Sequence, residues 1–331
     1  MGQKINNKYM NDLGLKNFSI YIRYFIGLAV IVTLIYHIQS KENILTVLSQ
    51  FDINLIIPAF IIICIHLSCL FIMWRIIVLS VGKIDPGYKM LLHSFFGGRT
   101  LGFITPGQTG DLLKGMFFTS GIRLKGTSLS MIFSGYSMLV RIILGSIACI
   151  YFILTIPDFF LIVEFNYVVF FILFMIIITF SALFFYQDRI KKQFIKYLPQ
   201  WVMNILRLFK AQLKSKSSAQ FILLFIIALT ANLLAAIAFM IVLLGFNIDA
   251  LTFRGLMAFE AAYFATSLVP ITPAGIGVRE SSRVYFFALL GYNQAAVLCA
   301  SFIMYALNIM LPAVIGIGSM KYFWKTEPDH S

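Results

Sequence analysis

The sequence predicts an all-α integral membrane protein with six full spans plus two broken, re-entrant helical hairpins, about eight hydrophobic segments forming an inverted internal repeat. Three observations predict it. Of 331 residues, 60% are hydrophobic and only 12% charged, against about 25% charged in soluble domains. Several apolar runs exceed the ~20 residues that cross a bilayer as helix. Finally, Ile104-Thr105-Pro106-Gly107-Gln108-Thr109-Gly110-Asp111 returns 167 positions later as Ile271-Thr272-Pro273-Ala274-Gly275-Ile276-Gly277. Pro and Gly inside apolar sequence free backbone groups that lipid cannot satisfy, so such breaks are tolerated only in protein or beside a wet cavity. Matched breaks in two halves point to a transport site.

In chain order, residues 1–17 are polar and a first span covers Phe18–Ile38, too long for the apolar core of a signal peptide. A near-neutral loop precedes a second span at Leu55–Ser80, and residues 90–119 carry the first break. A third span runs over Thr127–Thr155, an acidic loop holds Asp158 and Glu164, and a fourth span covers Phe165–Tyr186. Residues 187–217 hold eight basic side chains against Asp188 alone, interleaved with Trp201, Ile205, Leu206 and Phe209. That segment reads either as an amphipathic helix on the cytoplasmic leaflet or as a solvated basic connector. A fifth span covers Ser218–Gly245, residues 253–290 hold the second break, and the last span is Gln294–Met320. The 167-residue offset carries 55–80 onto 222–247 and 127–155 onto 294–322. The repeat units are therefore about 55–155 and 222–322 within a single polytopic domain, 1–331, and the first and fourth spans are extras.

Loop charge supplies the sidedness. If each broken segment returns to its own side, the basic stretches 1–17, 81–89, 120–126, 187–217 and 321–325 all fall in the cytoplasm, and the neutral or acidic loops fall outside. Both termini are then cytoplasmic, the two units are inverted, and the expected location is the cell (inner, cytoplasmic) membrane. The net charge of +13 thus reflects topology and anionic lipid headgroups, not nucleic acid. The 34 Phe fit lipid-facing surfaces, and Cys64, Cys69, Cys149 and Cys299, without CxxC spacing, read as small core hydrophobes.

Ionisable residues at membrane depth each need a reason. Arg141 lies ~21 Å into the third span at 1.5 Å per residue, too deep to snorkel easily. It faces a cavity as an anion site, or pairs with a buried carboxylate such as Asp111 or Glu280. Arg23 and Arg75 lie nearer span ends and can snorkel. At the first break Arg99, Asp111 and Lys114 flank Thr105, Pro106, Gly107 and Gly110; Asp111 and Lys114, three apart, share one face of a short helix beginning near Gly107. At the second, Pro273, Gly275 and Gly277 precede Arg279, Glu280 and Arg283, with Glu260 upstream as a candidate arginine partner. Each helix would turn its N-terminal N–H groups toward the membrane interior, favouring a phosphate or carboxylate. The alternative is two kinked helices held by ion pairs. His37, His66 and His93 have no ligand set, so neither a metal nor a cofactor is expected. No nucleophile elbow, HExxH, Walker loop or paired Asp is present, so no catalytic residue is assigned and the chain is not expected to be an enzyme.

The pattern Leu101-Gly102-x-x-Thr105-Pro106-Gly107-x-x-Gly110-Asp111-x-x-Lys114, paired with Pro270-x-x-Pro273-x-Gly275-x-Gly277-Val278-Arg279-Glu280, resembles the flippase-like family, the transmembrane region of lysylphosphatidylglycerol synthases. The resemblance covers nearly the whole chain and implies a lipid translocator, as a stand-alone member without the aminoacyl-transferase domain. The family often has Glu and Arg where Asp111 and Lys114 stand, Glu before Arg141 where Val140 stands, and an Arg near Ala306, which implies a different headgroup. The expected substrate is an anionic, aminoacylated or glycosylated lipid, and the expected partners are membrane lipids and a possible separate transferase. Two further readings stay open: a non-catalytic subunit docking such a transferase through 187–217, and a small-solute or ion-coupled carrier.

Overall fold

The computed structural model describes residues 24–40, 42–156 and 218–324. The fourth span, the basic segment 187–217 and Arg23 lie outside them. Every regular element described is helical. Helix α1 covers Tyr24–Gln39, and α2, Ile44–Ser49, starts on Asn43, whose side chain accepts from the Leu45 and Thr46 amides. Helix α3, Ile56–Ile76, ends in a π turn at Ile77–Val81. Helix α4, Tyr88–Ile104, leads into the first break, and a 3-10 helix at Thr109–Phe117 leads out of it. Helix α5 is Arg123–Thr155 and α6 is Ser218–Leu244. Helix α7, Phe253–Leu268, enters the second break and α8, Val278–Ala288, leaves it. Helix α9, Gln294–Tyr305, continues through a π turn at Ala306–Met310 into α10, Leu311–Ile317, and α11 is Met320–Trp324.

Four of these helical stretches are long and apolar enough to cross a membrane: Ile53–Val81, Arg123–Thr155, Ser218–Leu244 and Gln294–Ile317. They are the expected second, third, fifth and last spans, each within a few residues of its expected bounds. Their outer faces expose Ile57, Ile61, Ile65, Ile143, Ile147, Ile150, Ile222, Ile226, Val314 and Ile315, a surface suited to lipid rather than water. The phenylalanines do not all face outward as expected: Phe95, Phe117, Phe118, Phe152, Phe239, Phe259 and Phe287 are fully buried. Among the cysteines only Cys299 is buried, and Cys64 is exposed, facing outward from α3.

Packing follows the repeat. The two mates α3 and α6 lie against each other, and Ala228, Ala231, Ala235 and Ala238 line the buried face of α6 at helical spacing, letting the backbones approach. Helix α4 packs on α10, and its mate α7 packs on α5, so each broken segment leans on the closing span of the other unit. Small residues make both contacts close. A Cβ on Gly145 would strike Phe264, and one on Gly316 would strike the Phe96 carbonyl. The core divides accordingly. One cluster joins α3, α4 and α5 to the start of α6, and the other joins α6 to α9 with Ala59 and Ile63 of α3 and Phe152 of α5.

Candidate functional site

The two breaks meet. Gly107 N–H donates to the Thr272 carbonyl at 3.1 Å and Ala274 N–H donates to the Thr105 carbonyl at 3.3 Å, an antiparallel bridge centred on Pro106 and Pro273. The two bonds are one bond repeated, because 105 and 272, and 107 and 274, are mates under the 167 offset. The antiparallel sense means that chain direction at one break opposes that at the other, as an inverted repeat requires. Pro106 and Pro273 occupy the non-hydrogen-bonded pair of this bridge, where a residue's own N–H points away from its partner. Proline, which has none, is therefore tolerated at both.

Each break also folds alike locally. Gln108 N–H reaches the Thr105 carbonyl and Thr109 N–H the Pro106 carbonyl; Gly275 and Ile276 do the same to Thr272 and Pro273. Both double turns need two successive left-handed residues, Gly107 (φ 57) and Gln108 (φ 60) in one, Ala274 (φ 50) and Gly275 (φ 75) in the other. Tyr24 of α1 donates to the Ile104 carbonyl at 3.2 Å, which satisfies an acceptor left over at the end of α4.

Beside the joined tips lies a cavity of about 290 Å³ whose charged lining is Arg99, Asp111, Arg141, Arg279 and Arg283. Among the described residues Asp111 is the only carboxylate in an ion pair, and it is engaged twice: Lys114 Nζ is 2.7 Å and Arg99 3.9 Å from it. Lys114, wholly buried, sits behind the wall with Nζ 3.7 Å from the centre of the Phe133 ring. Arg141 pairs with neither Asp111 nor Glu280. It donates to Ser267 Oγ at 3.3 Å and lies over the Tyr263 ring. Arg279 donates to the Ala274 carbonyl at 2.8 Å, and Arg283 lies over Phe239 and Phe259. These two arginines are only 6% and 7% exposed, and Nη1 of each has no partner.

Magnitudes decide what this means. An arginine at membrane depth costs about 2.5–3.5 kcal/mol on insertion scales, whereas a cation–π contact returns about 0.5–2 kcal/mol. Aromatic rings alone do not offset three arginines without a carboxylate partner among the described residues.

Several expected roles change. Glu260 partners no arginine: it accepts from Asn232 Nδ2 at 2.7 Å, because Asn232 of α6 lies on the face that packs against α7. Glu280 is bound at 2.7 Å to the Gly277 N–H, half of a capping box that starts α8. The first outgoing helix starts at Thr109 and is 3-10. Its leading amides are already taken, Gly110 N–H by Thr105 Oγ at 2.6 Å and Asp111 N–H by the Gln108 carbonyl. The arginines, not that helix terminus, supply the free donors. Pro106, Gly110, Pro273 and Gly277 shape backbone, while Gly107 and Gly275 line the cavity. Sequence reasoning missed His66, Asn232, Tyr263, Ser267, Tyr305 and Asn308 in the lining. Tyr263 and Ser267, one turn apart on α7, form a polar stripe that could have been read. Pro312 lies four residues past Asn308, and the π turn there turns Tyr305 and Asn308 inward. His66 holds the Ala231 carbonyl through Nδ1 at 2.7 Å, and no metal-ligand cluster occurs among the described residues.

A family model described as the lysylphosphatidylglycerol synthase TM region matches residues 22–316. No curated protein and no solved structure matches the chain.

Proposed function

Because the chain belongs to the family of the lysylphosphatidylglycerol synthase transmembrane region, we propose that it carries anionic lipid headgroups between the leaflets of the cell membrane. The observation that supports this most is the group of Arg141, Arg279 and Arg283, which line the cavity with no carboxylate paired to any of them among the described residues. At about 290 Å³ the cavity lies near the low end of the ~300–1,000 Å³ of small-molecule sites. It suits a headgroup whose acyl chains stay in lipid. The reading contains no catalytic step and places both termini in the cytoplasm. Membrane lipids are the partners it requires, and a separate transferase could supply or consume them.

The test is purified protein in phosphatidylcholine vesicles carrying tail-labelled anionic phospholipid, with leaflet exchange followed by quenching of the label from outside. Wild type is expected to quench the inner pool, and Arg141→Ala to slow this about tenfold, as loss of one charge-assisted contact implies. If no anionic lipid moves faster than in protein-free vesicles, the translocator reading fails.

A further inference from the structure

The charge balance of the cavity says more than that its ligand is an anion. Among the described residues, the four lining arginines and the buried Lys114 face at most three carboxylates, Asp111, Glu260 and Glu280, each with one oxygen held by Lys114, Asn232 or the Gly277 amide. Even with all three ionised, five cations against three carboxylates leave two positive charges at the cavity. Guanidinium nitrogens are prominent among the buried atoms without a partner, Nε of Arg99 and Nη1 of Arg279 and of Arg283, beside the Tyr305 hydroxyl and one oxygen each of Asp111, Glu260 and Glu280. Guanidinium forks match phosphate oxygens two at a time.

We propose that the headgroup bound here carries two negative charges on phosphate, as a phosphomonoester or a diphosphate, and is not an aminoacylated lipid. This deepens the translocator reading and rests on it. A phosphomonoester carries about −1.5 to −2 near neutral pH and closes the balance. A phosphodiester such as phosphatidylglycerol leaves one positive charge over. Lysylphosphatidylglycerol, with one phosphate and two ammonium groups, adds positive charge to a site where cations already outnumber carboxylates. The same chemistry could come from a lipid or from free diphosphate, and the two sources separate experimentally.

Proteoliposomes of the full chain in phosphatidylcholine, each with a trace of one tail-labelled lipid, compare phosphatidic acid, phosphatidylglycerol and lysylphosphatidylglycerol. In parallel, inorganic diphosphate is tested for raising the melting temperature in detergent. Phosphatidic acid is expected to move roughly tenfold or more faster than phosphatidylglycerol, and lysylphosphatidylglycerol no faster than in protein-free vesicles. Arg283→Gln should remove the preference, and Arg141→Gln offers a second route should Arg283→Gln not fold. If phosphatidylglycerol or lysylphosphatidylglycerol moves fastest, the dianion assignment is overturned and translocation stands. If no lipid moves yet diphosphate stabilises wild type and not Arg283→Gln, the dianion site stands and the lipid reading falls. If neither is seen, both fall.

Discussion

At the scale of single residues, the breaks tolerate little substitution. Gly107 has φ 57, and a Cβ there would collide with that of Pro270. Left-handed backbone costs an L-residue about 1–2 kcal/mol and overpacking about 1–3 kcal/mol more. Gly107→Ala is therefore expected to destabilise by roughly 2 kcal/mol or more, read as a lower melting temperature in detergent. An unchanged value would mean that the turn does not hold its shape. What the sequence made legible at this scale follows how local each signal is. Asp111 and Lys114 are three apart and do pair. Arg279 and Arg283, one helical turn apart, line the same cavity. Glu260 and Asn232 are 28 positions apart on different helices, and no spacing rule announces that contact. A carboxylate near several arginines in sequence suggested an ion pair, yet helix packing gave it an amide.

At the scale of elements, hydrophobic run length located the second, third, fifth and last spans, because a bilayer sets that length directly. Pro and Gly located the breaks. The 3-10 form of Thr109–Phe117 was not foreseen, since a run of that length is uncommon. It depends on tertiary contact: side chains at Gly98, Gly110 and Gly115 would strike Lys114, the Leu101 carbonyl and the Gly126–Thr127 backbone. The crossed packing of broken segments on opposite closing spans gives a paired test. Gly145→Leu opens the α5–α7 contact and Gly316→Leu the α4–α10 contact. Each is expected to lower stability by about 1–3 kcal/mol. At Gly135, on an exposed face of α5, a Cβ would meet nothing within 4 Å among the described residues. Gly135→Leu should therefore cost nothing, because leucine is the better helix former. Equal behaviour of all three in a thermal-unfolding series would remove the packing argument.

At the scale of the whole molecule, the family resemblance carried by the two motifs agrees with the match over residues 22–316. The offset of 167 relates Thr105 to Thr272 and Gly107 to Ala274, the residues that exchange hydrogen bonds at the breaks. It did not foretell that the breaks would touch, because pairing between segments so far apart leaves no local trace in the sequence. The bridge itself has a mechanical consequence. When a two-fold operation exchanges two halves, points on its axis do not move, and the Pro106–Pro273 pair lies where mates meet themselves. On the translocator reading that pair is expected to act as a pivot and not a gate, the helices rocking around it while it stays still. Non-hydrogen-bonded antiparallel pairs have Cα atoms about 4.5 Å apart, within disulfide reach. In a background with the four native cysteines replaced by alanine, Pro106→Cys with Pro273→Cys should cross-link on oxidation, and lipid movement should persist. Movement that stops on oxidation and returns on reduction would show instead that the joint has to open once in every cycle.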